Sequence, residues 1–521
     1  MRSRFLLALF LLFSTSCLYC KKKESLPTIL QEENNGNPDQ TPDDSLNTPN
    51  GTLFKDMIGV NGFDWEYTQN NSTELDNNKI ELIKTFSSFR QYLDWEKIEP
   101  EEGSFNLGHY DKIYNKNFEL KITTLLCLQI IPSWMRRSYP EYNESDPFSS
   151  LRDYTPVRYG ADKSSPASYI QMAKVAFQFA ARYGSNTNID KSLIKAPSYE
   201  QGSYKIGLNT LKYLECSNEP DKNWRGPNAQ QTPEQYAAQL SAFYDGHMGT
   251  LGANVGAKTA DPNIKVVMAG LADPDPEFVR KMINWCKINR VKNGKYTLCF
   301  DVINYHQYSN ENMKKGKAPE LTNVGSVAAD FVKMSKEDAN GAEVWVTECG
   351  FDVNPSSPQR AIAIGNKSTR DTQADWSLRT SLLYARKGIK RTFFFMLNDV
   401  NINDATQYSS SGLVESGKRR PAADFLLQAK NLMGEYTYQK TISTDPIVDL
   451  YTSGNSKIYV LTIPDQKDRK ANYTIILDIG IQEVTIYNPL AGAESMISKK
   501  VAVNDKLVIN VTETPTFVKV N

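Results

Sequence analysis

Two acidic residues stand where apolar runs stop. The stretch YLECSNEPDKNW, residues 213–224, sets Glu219 between Asn218 and Pro220, and AEVWVTECGFD, residues 342–352, carries an apolar run that ends at Glu348. Two facing carboxyl groups can open an acetal between sugars: one, protonated, helps the leaving oxygen depart, while the other, ionised, attacks the anomeric carbon. A single Glu after a strand is commonly just a solvated or helix-starting residue. The chemistry therefore depends on a fold that turns the two toward each other.

From Asp56 onward, short apolar runs alternate with longer amphipathic ones. The runs predict strands over Met57–Asn61, Phe86–Leu93, Ile122–Gln129, Lys212–Ser217, Ile264–Ala269, Val302–Tyr305, Glu343–Thr347 and Arg391–Met396. Between and after them lie eight helical stretches, among them SPASYIQMAKVAFQFAARYG, TPEQYAAQLSAFYDGHMGTLG, SVAADFVKMSKEDANG and DTQADWSLRTSLLYARKG. Several open on Ser, Thr or Asp and close on Gly, as helix capping prefers. Eight alternations argue for an α/β fold, a (β/α)₈ TIM barrel, over residues 53–433. In such a barrel the site is built at the C-terminal ends of the strands, and strands four and seven lie on opposite sides of its mouth. Glu219 and Glu348 would then converge. After Leu432 the texture changes: residues 436–521 hold β-rich runs (KIYVLTI, NYTIILDI, EVTIYN, KLVINV, TFVKV) between polar turns, predicting a C-terminal antiparallel β domain. A structural cap on the barrel is the reading preferred to a sugar-binding module, because no cluster of exposed Trp stands out.

With these elements placed, the sequence resembles the retaining glycoside hydrolases of clan A, family 39 most. FRQYLDWEKIEPEEGSFNLGHYD (residues 89–111) looks like the strand-two region of families 39 and 42, Asn-Glu-Pro like the acid/base motif, His306-Gln307-Tyr308 like the strand-six His-x-Tyr, and SGLVESGKRRPAADF like the lead into the last barrel helix. The resemblance implies Glu219 as general acid/base and Glu348 as nucleophile. It also implies Asn218 on the sugar 2-hydroxyl and His306 and Tyr308 on the floor of the −1 subsite, with a Tyr there donating to Glu348. Arg90, placed at the end of strand two, would keep Glu348 ionised by its charge. Trp65, Trp134 and Trp224 follow strands one, three and four, where an aromatic face stacks on sugar or plugs a loop. Arg136 and Arg137 leave room for a substrate with carboxylate character. One departure concerns strand eight, whose run FFFMLND lacks the Trp common under the −1 sugar; Phe395 or a neighbour would replace it.

The rest of the chain bounds the setting. Sixty basic and sixty acidic residues, with no basic stripe, leave no electrostatic footprint for nucleic acid. Arg2 and Arg4, the apolar residues Phe5 to Phe13, and Ser14-Thr15-Ser16-Cys17 make a secretory signal over residues 1–16, too short for a permanent membrane span. Its end resembles the lipobox of bacterial lipoproteins, which implies lipidation of Cys17; Cys20, and an ordinary cleaved signal, are the alternatives. Residues 17–52, rich in Asn, Asp and Pro, read as a flexible tether. The remaining cysteines (Cys127, Cys216, Cys286, Cys299, Cys349) form no CxxC pair and read as buried thiols, with Cys286 and Cys299 the one pair that could bridge. Three His residues are too few for a His-rich metal centre.

The expectation is a lipid-anchored, monomeric β-glycosidase of the bacterial cell envelope. It would act on an oligo- or polysaccharide by double displacement, with no metal or cofactor, and touch the membrane only through its anchor. A surface glycan-binding lipoprotein that lost turnover is the alternative. Retention implies carboxyl groups about 5–5.5 Å apart. The sugar at −1, exo or endo action, the membrane face and any glycan binding by the C-terminal domain are not legible.

Overall fold

The computed structural model describes residues 51–70, 72–143, 145, 154–195 and 204–520. The expected signal, Cys17 and nearly all of the tether fall outside these residues.

All eight expected barrel strands form: β1 (Gly59–Gly62), β2 (Ser88–Asp94), β3 (Thr123–Gln129), β4 (Tyr213–Cys216), β5 (Lys265–Met268), β6 (Val302–His306), β7 (Glu343–Cys349) and β8 (Arg391–Phe394). They pair in parallel, each with its sequence neighbours, and β8 closes onto β1. The helices that follow them are α1 (Asn77–Ile83), α2 (Asp111–Glu119), α3 (Ile170–Tyr183), α4 (Pro233–Asp245), α5 (Pro276–Asn289), α6 (Val324–Asp338), α7 (Thr369–Lys387) and α8 (Pro421–Met433). Capping chemistry sets their ends. Thr232 with Gln235 and Ser368 with Asp371 close capping boxes, so α7 starts ahead of the expected Asp371. The helix expected to run through Gly252 stops at Asp245, because Gly246 turns left-handed (φ 65°) and gives its N–H to the Ala242 carbonyl.

The barrel interior is layered. Leu125, Tyr213, Val267, Val302, Trp345 and Phe393 make an apolar floor. Two residues on along the strands come Cys127, Glu215, Asn304 and Thr347, all fully buried and mostly polar. Strand alternation puts i and i+2 on one face, so the chemistry sits directly above a sealed base.

Strand β7 carries one extra residue relative to both neighbours. Tyr305 pairs with Val346 but His306 with Glu348, and Thr392 pairs with Val346 but Phe394 with Cys349. Such a bulge lets consecutive residues aim at one face. Thr347 and Glu348 both reach inward.

Beyond α8, the chain builds β9 (Thr437–Thr444), β10 (Ile447–Ser453), β11 (Ser456–Thr462), β12 (Ala471–Ile476), β13 (Glu483–Asn488), β14 (Ile497–Ala502), β15 (Lys506–Val511) and β16 (Thr516–Val520). Six form one antiparallel sheet in the order β9-β10-β11-β16-β13-β14, and β12 pairs with β15. Val448, Leu461 and Val518 of the large sheet bury against Ile475, Leu507 and Ile509 of the small one. The opposite face, with Tyr438, Tyr451, Ile458, Val460 and Phe517, joins the barrel's outer core.

Candidate active site

Glu348 lies one residue before the end of β7 and is almost fully buried. Its Oε1 accepts from Arg90 Nη1 at 2.9 Å and from the Tyr92 hydroxyl at 2.6 Å; its Oε2 accepts from the Tyr308 hydroxyl at 3.0 Å. Burial alone would raise this carboxyl, but His306, the Arg90 charge and the hydrogen bonds from Tyr92 and Arg90 outweigh it and hold it below the usual carboxylate range. Burial pushes both tyrosines well above the usual phenol range, so they stay donors.

Glu219 follows β4 by three residues, in left-handed backbone (φ 49°). Glu219 is only 8% exposed. The loop is folded inward, with the Glu219 amide on the Gly270 carbonyl at 3.1 Å and the Asp221 carboxylate accepting from the amides of Ala272 and Asp273 at 3.0 and 2.8 Å. Burial, first, raises the Asp221 carboxyl to about 6. The Glu219 Oε1 meets His306 Nδ1 at 2.9 Å. One oxygen of Glu219, one of Glu348 and a ring nitrogen of His306 all lie within 4.8 Å of one another. These three are also the only donor set among the described residues close enough to hold a metal ion.

Arg90 is the hub. It lies inside β2 rather than at its end, because the strand runs on to Asp94. Its principal partner is not Glu348 but Glu215, which it clasps through Nε at 2.7 Å and Nη2 at 3.0 Å. The rest of the guanidinium donates to Asn61 Oδ1 at 2.9 Å, the Tyr92 hydroxyl at 2.8 Å and Asn218 Oδ1 at 2.7 Å. That last bond fixes the Asn218 amide with its nitrogen turned away from Arg90.

The aromatic expectations divide. Phe395 is buried, edge-on to Tyr92 (6.3 Å) and Tyr408 (6.1 Å), and Tyr408 tilts against Tyr308 at 4.2 Å. Trp65 stacks on Phe63 at 4.2 Å beside this cluster. Trp134 is a plug: its indole N–H donates to the Glu99 carbonyl at 2.9 Å and its ring meets Trp95 edge-on. Trp224 is half-buried in the 3₁₀ turn Asn223–Arg225. Arg136 is spent on Glu96 (2.6 Å) and the Ile131 carbonyl (2.7 Å), which removes it as a substrate carboxylate's partner. Cys286 and Cys299 are buried free thiols with sulfurs 3.5 Å apart.

Tyr92, Glu215, Asn61, Asn304 and Thr347 were not read from the sequence as site residues. Tyr92 sits two residues after Arg90, on the same face of its strand. Glu215 is a charge in the middle of an apolar run, four residues before Glu219, and that misfit was its signal.

The comparisons with known proteins agree with the barrel fold. Residues 65–194 match the sequence profile of Glyco_hydro_42, described as beta-galactosidase. No curated protein matches the chain. A family 39 glycoside hydrolase from Bacteroides cellulosilyticus WH2 has the same fold, at 17% identity and a TM-score of 0.59 over 91% of this chain and 82% of that one. So have a GH30 endoxylanase from Clostridium papyrosolvens C71 (14%, 0.51, 90% and 98%) and an alpha-L-arabinofuranosidase from Thermotoga maritima (11%, 0.54, 90% and 97%). The chain is similar to the clan A glycoside hydrolases.

Proposed function

We propose that the chain is a retaining β-glycoside hydrolase acting by double displacement on an oligo- or polysaccharide. One observation carries this: Glu219 and Glu348 face each other within 4.8 Å across the barrel mouth in unlike surroundings. That spacing is of the short kind, without room for the water an inverting enzyme holds between its carboxyls. Arg90, Tyr92 and Tyr308 keep Glu348 ionised to attack the anomeric carbon. Glu219, opposite, protonates the leaving oxygen and afterwards takes a proton from the incoming water. The Asn218 amide nitrogen is placed to donate to a sugar hydroxyl.

The test is turnover by the purified protein on aryl β-glycosides and on polysaccharides, including the galactosides, xylan and arabinofuranosides that the similar proteins' names suggest. Glu219→Ala and Glu348→Ala should each lower it by roughly 10²–10⁴-fold or more. The first product detected by proton NMR should keep the substrate's anomeric configuration. Inversion would overturn the mechanism, and glycan binding without turnover, equal in all three proteins, would make the chain a binder.

The setting is proposed on the N-terminal signal alone: a monomer tethered to the cell envelope through lipidated Cys17. Labelling with radioactive palmitate, lost in Cys17→Ala, tests the anchor. Among the described residues no helix is long and apolar enough to cross a membrane.

A further inference from the structure

Beneath the two carboxyls runs a chain of buried polar groups. Glu215 Oε1, already accepting from Arg90 Nη2, also accepts from Asn304 Nδ2 at 3.0 Å and from the Gly270 amide at 3.2 Å. An ionised carboxylate can only accept, so the Asn304 amide must turn its nitrogen to Glu215 and its oxygen away. That oxygen lies 2.9 Å from Thr347 Oγ1. A carbonyl oxygen also only accepts, so the Thr347 hydroxyl spends its proton there. What Thr347 has left for His306 Nε2, 3.1 Å away, is a lone pair. Glu215, Asn304 and Thr347 are fully buried, and His306 is 2% exposed, so bulk water does not reach the links.

We infer that Glu215, Asn304 and Thr347 form a hydrogen-bond chain of fixed direction that commits Nε2 of His306 to donating, so that any proton His306 gains or loses is carried on Nδ1, against Oε1 of Glu219. All three are positioning residues. The inference rests on the glycosidase reading for its purpose but not for its geometry.

The purpose is charge. Glu215 and Glu348 share one guanidinium, Arg90, and His306 stands between two carboxylates, with Nδ1 at 2.9 Å from Glu219 Oε1 and Nε2 at 3.6 Å from Glu348 Oε1. Glu219, left ionised once its proton has passed to the leaving group, needs a counter-charge, and His306 protonated on Nδ1 supplies it. As the glycosidic bond breaks, the proton on Glu219 Oε2 passes to the leaving oxygen and Glu348 bonds to the anomeric carbon. Glu219 is left as an anion held by Nδ1–H. When water attacks that carbon, Glu348 departs and the water's proton returns to Oε2. Nδ1–H stays on Oε1 throughout.

The chain contains three His residues, so selective ¹⁵N-histidine labelling, with His306→Gln to assign the signal, reads the tautomer directly. In the parent the His306 Nε2 should carry a proton that is hydrogen-bonded to Thr347. Thr347→Val, close in shape, should abolish that preference, and Thr347→Ser should restore it. A bare Nε2 in the parent, or a Thr347→Val spectrum unchanged from it, would overturn the inference. With activated and unactivated leaving groups, Thr347→Val should lower kcat/KM about tenfold or more on the unactivated aglycone, which depends on Glu219, and by less than about threefold on a dinitrophenyl glycoside. Equal losses on both would mean a merely structural role and overturn the inference. A parent inert on every glycoside but with the expected tautomer would sink the glycosidase reading and leave the chain standing.

Discussion

Tyr92 and Tyr308 bind opposite oxygens of Glu348, and only the charged carboxylate uses both. A hydrogen bond to a charged group is worth about 1.5–3 kcal/mol. Tyr92→Phe removes the shorter one, 2.6 Å, without changing the ring's packing against Phe63 and Phe395. The variant should lose roughly 10–100-fold in kcat/KM at the optimum. Its pH dependence follows in sign. Glu348 sits below its usual range in the parent because His306, Arg90 and Tyr92 together outweigh burial. Removing Tyr92's proton lets burial pull the carboxyl up, so the acid limb of the kcat/KM profile should move to higher pH. The same depression stabilises the fold at pH above the unfolded carboxyl's value and is lost as pH falls through the folded one. Tyr92→Phe should therefore narrow the stability difference between pH 7 and pH 3 in urea titrations. A profile with an unmoved acid limb would mean Tyr92 does not set the charge on Glu348.

At the scale of elements, the site is made by where strands end and where one of them bulges. The loop after β5 brings Gly270 against the imidazole: a Cβ there would lie 2.0 Å from His306 Nε2. Gly270→Ala must displace His306 and with it the partner of Glu219. Activity should fall by about 10²-fold, since a misplacement near 1 Å costs that much, while circular dichroism keeps the barrel's spectrum. Near-parental turnover would show that His306 has room to spare. The strands were legible because buried parallel strands read as short apolar runs, and all eight runs became strands within a few residues. Glu219 and Glu348 were legible because both end such runs. The bulge at Thr347 was not, since an extra residue leaves no mark until a partner strand gives the register. Nor was the polar layer: Glu215 looks like a break in an apolar run until Arg90, 125 positions away, is seen to close on it. The helix after β4 was read too long because the left-handed backbone that ends it, at Gly246, His247, Met248 and Gly249, leaves little mark in the polarity pattern.

For the whole molecule, the question is what the C-terminal strands do for the barrel. The chain is stitched at their junction, with the Phe54 amide on the Tyr436 carbonyl at 2.8 Å and Lys55 on Gly434 at 3.0 Å. The apolar face of the large sheet then covers the outside of the barrel, with Tyr451 edge-on to Phe54 at 5.8 Å. Within this contact Arg386 of α7 grips Asp449 of β10 at 2.7 Å, with side chains 14% and 1% exposed. Removing one member of a buried pair leaves a charge without a partner and costs about 3–5 kcal/mol, whereas replacing both by apolar groups is often neutral. Asp449→Ala should therefore lower the thermal midpoint markedly, and Arg386→Met with Asp449→Leu should recover most of the loss. If the single variant unfolds the sheet while the barrel melts as before, the two regions are independent and the sheet is an appended module. If both melt together at a lower temperature, and a chain ending at Met433 is insoluble, the sheet is a cap that the barrel needs. The second outcome is expected, because the residues that face the barrel, Tyr438, Tyr451, Ile458, Val460 and Phe517, are buried in the same core as α7 and α8.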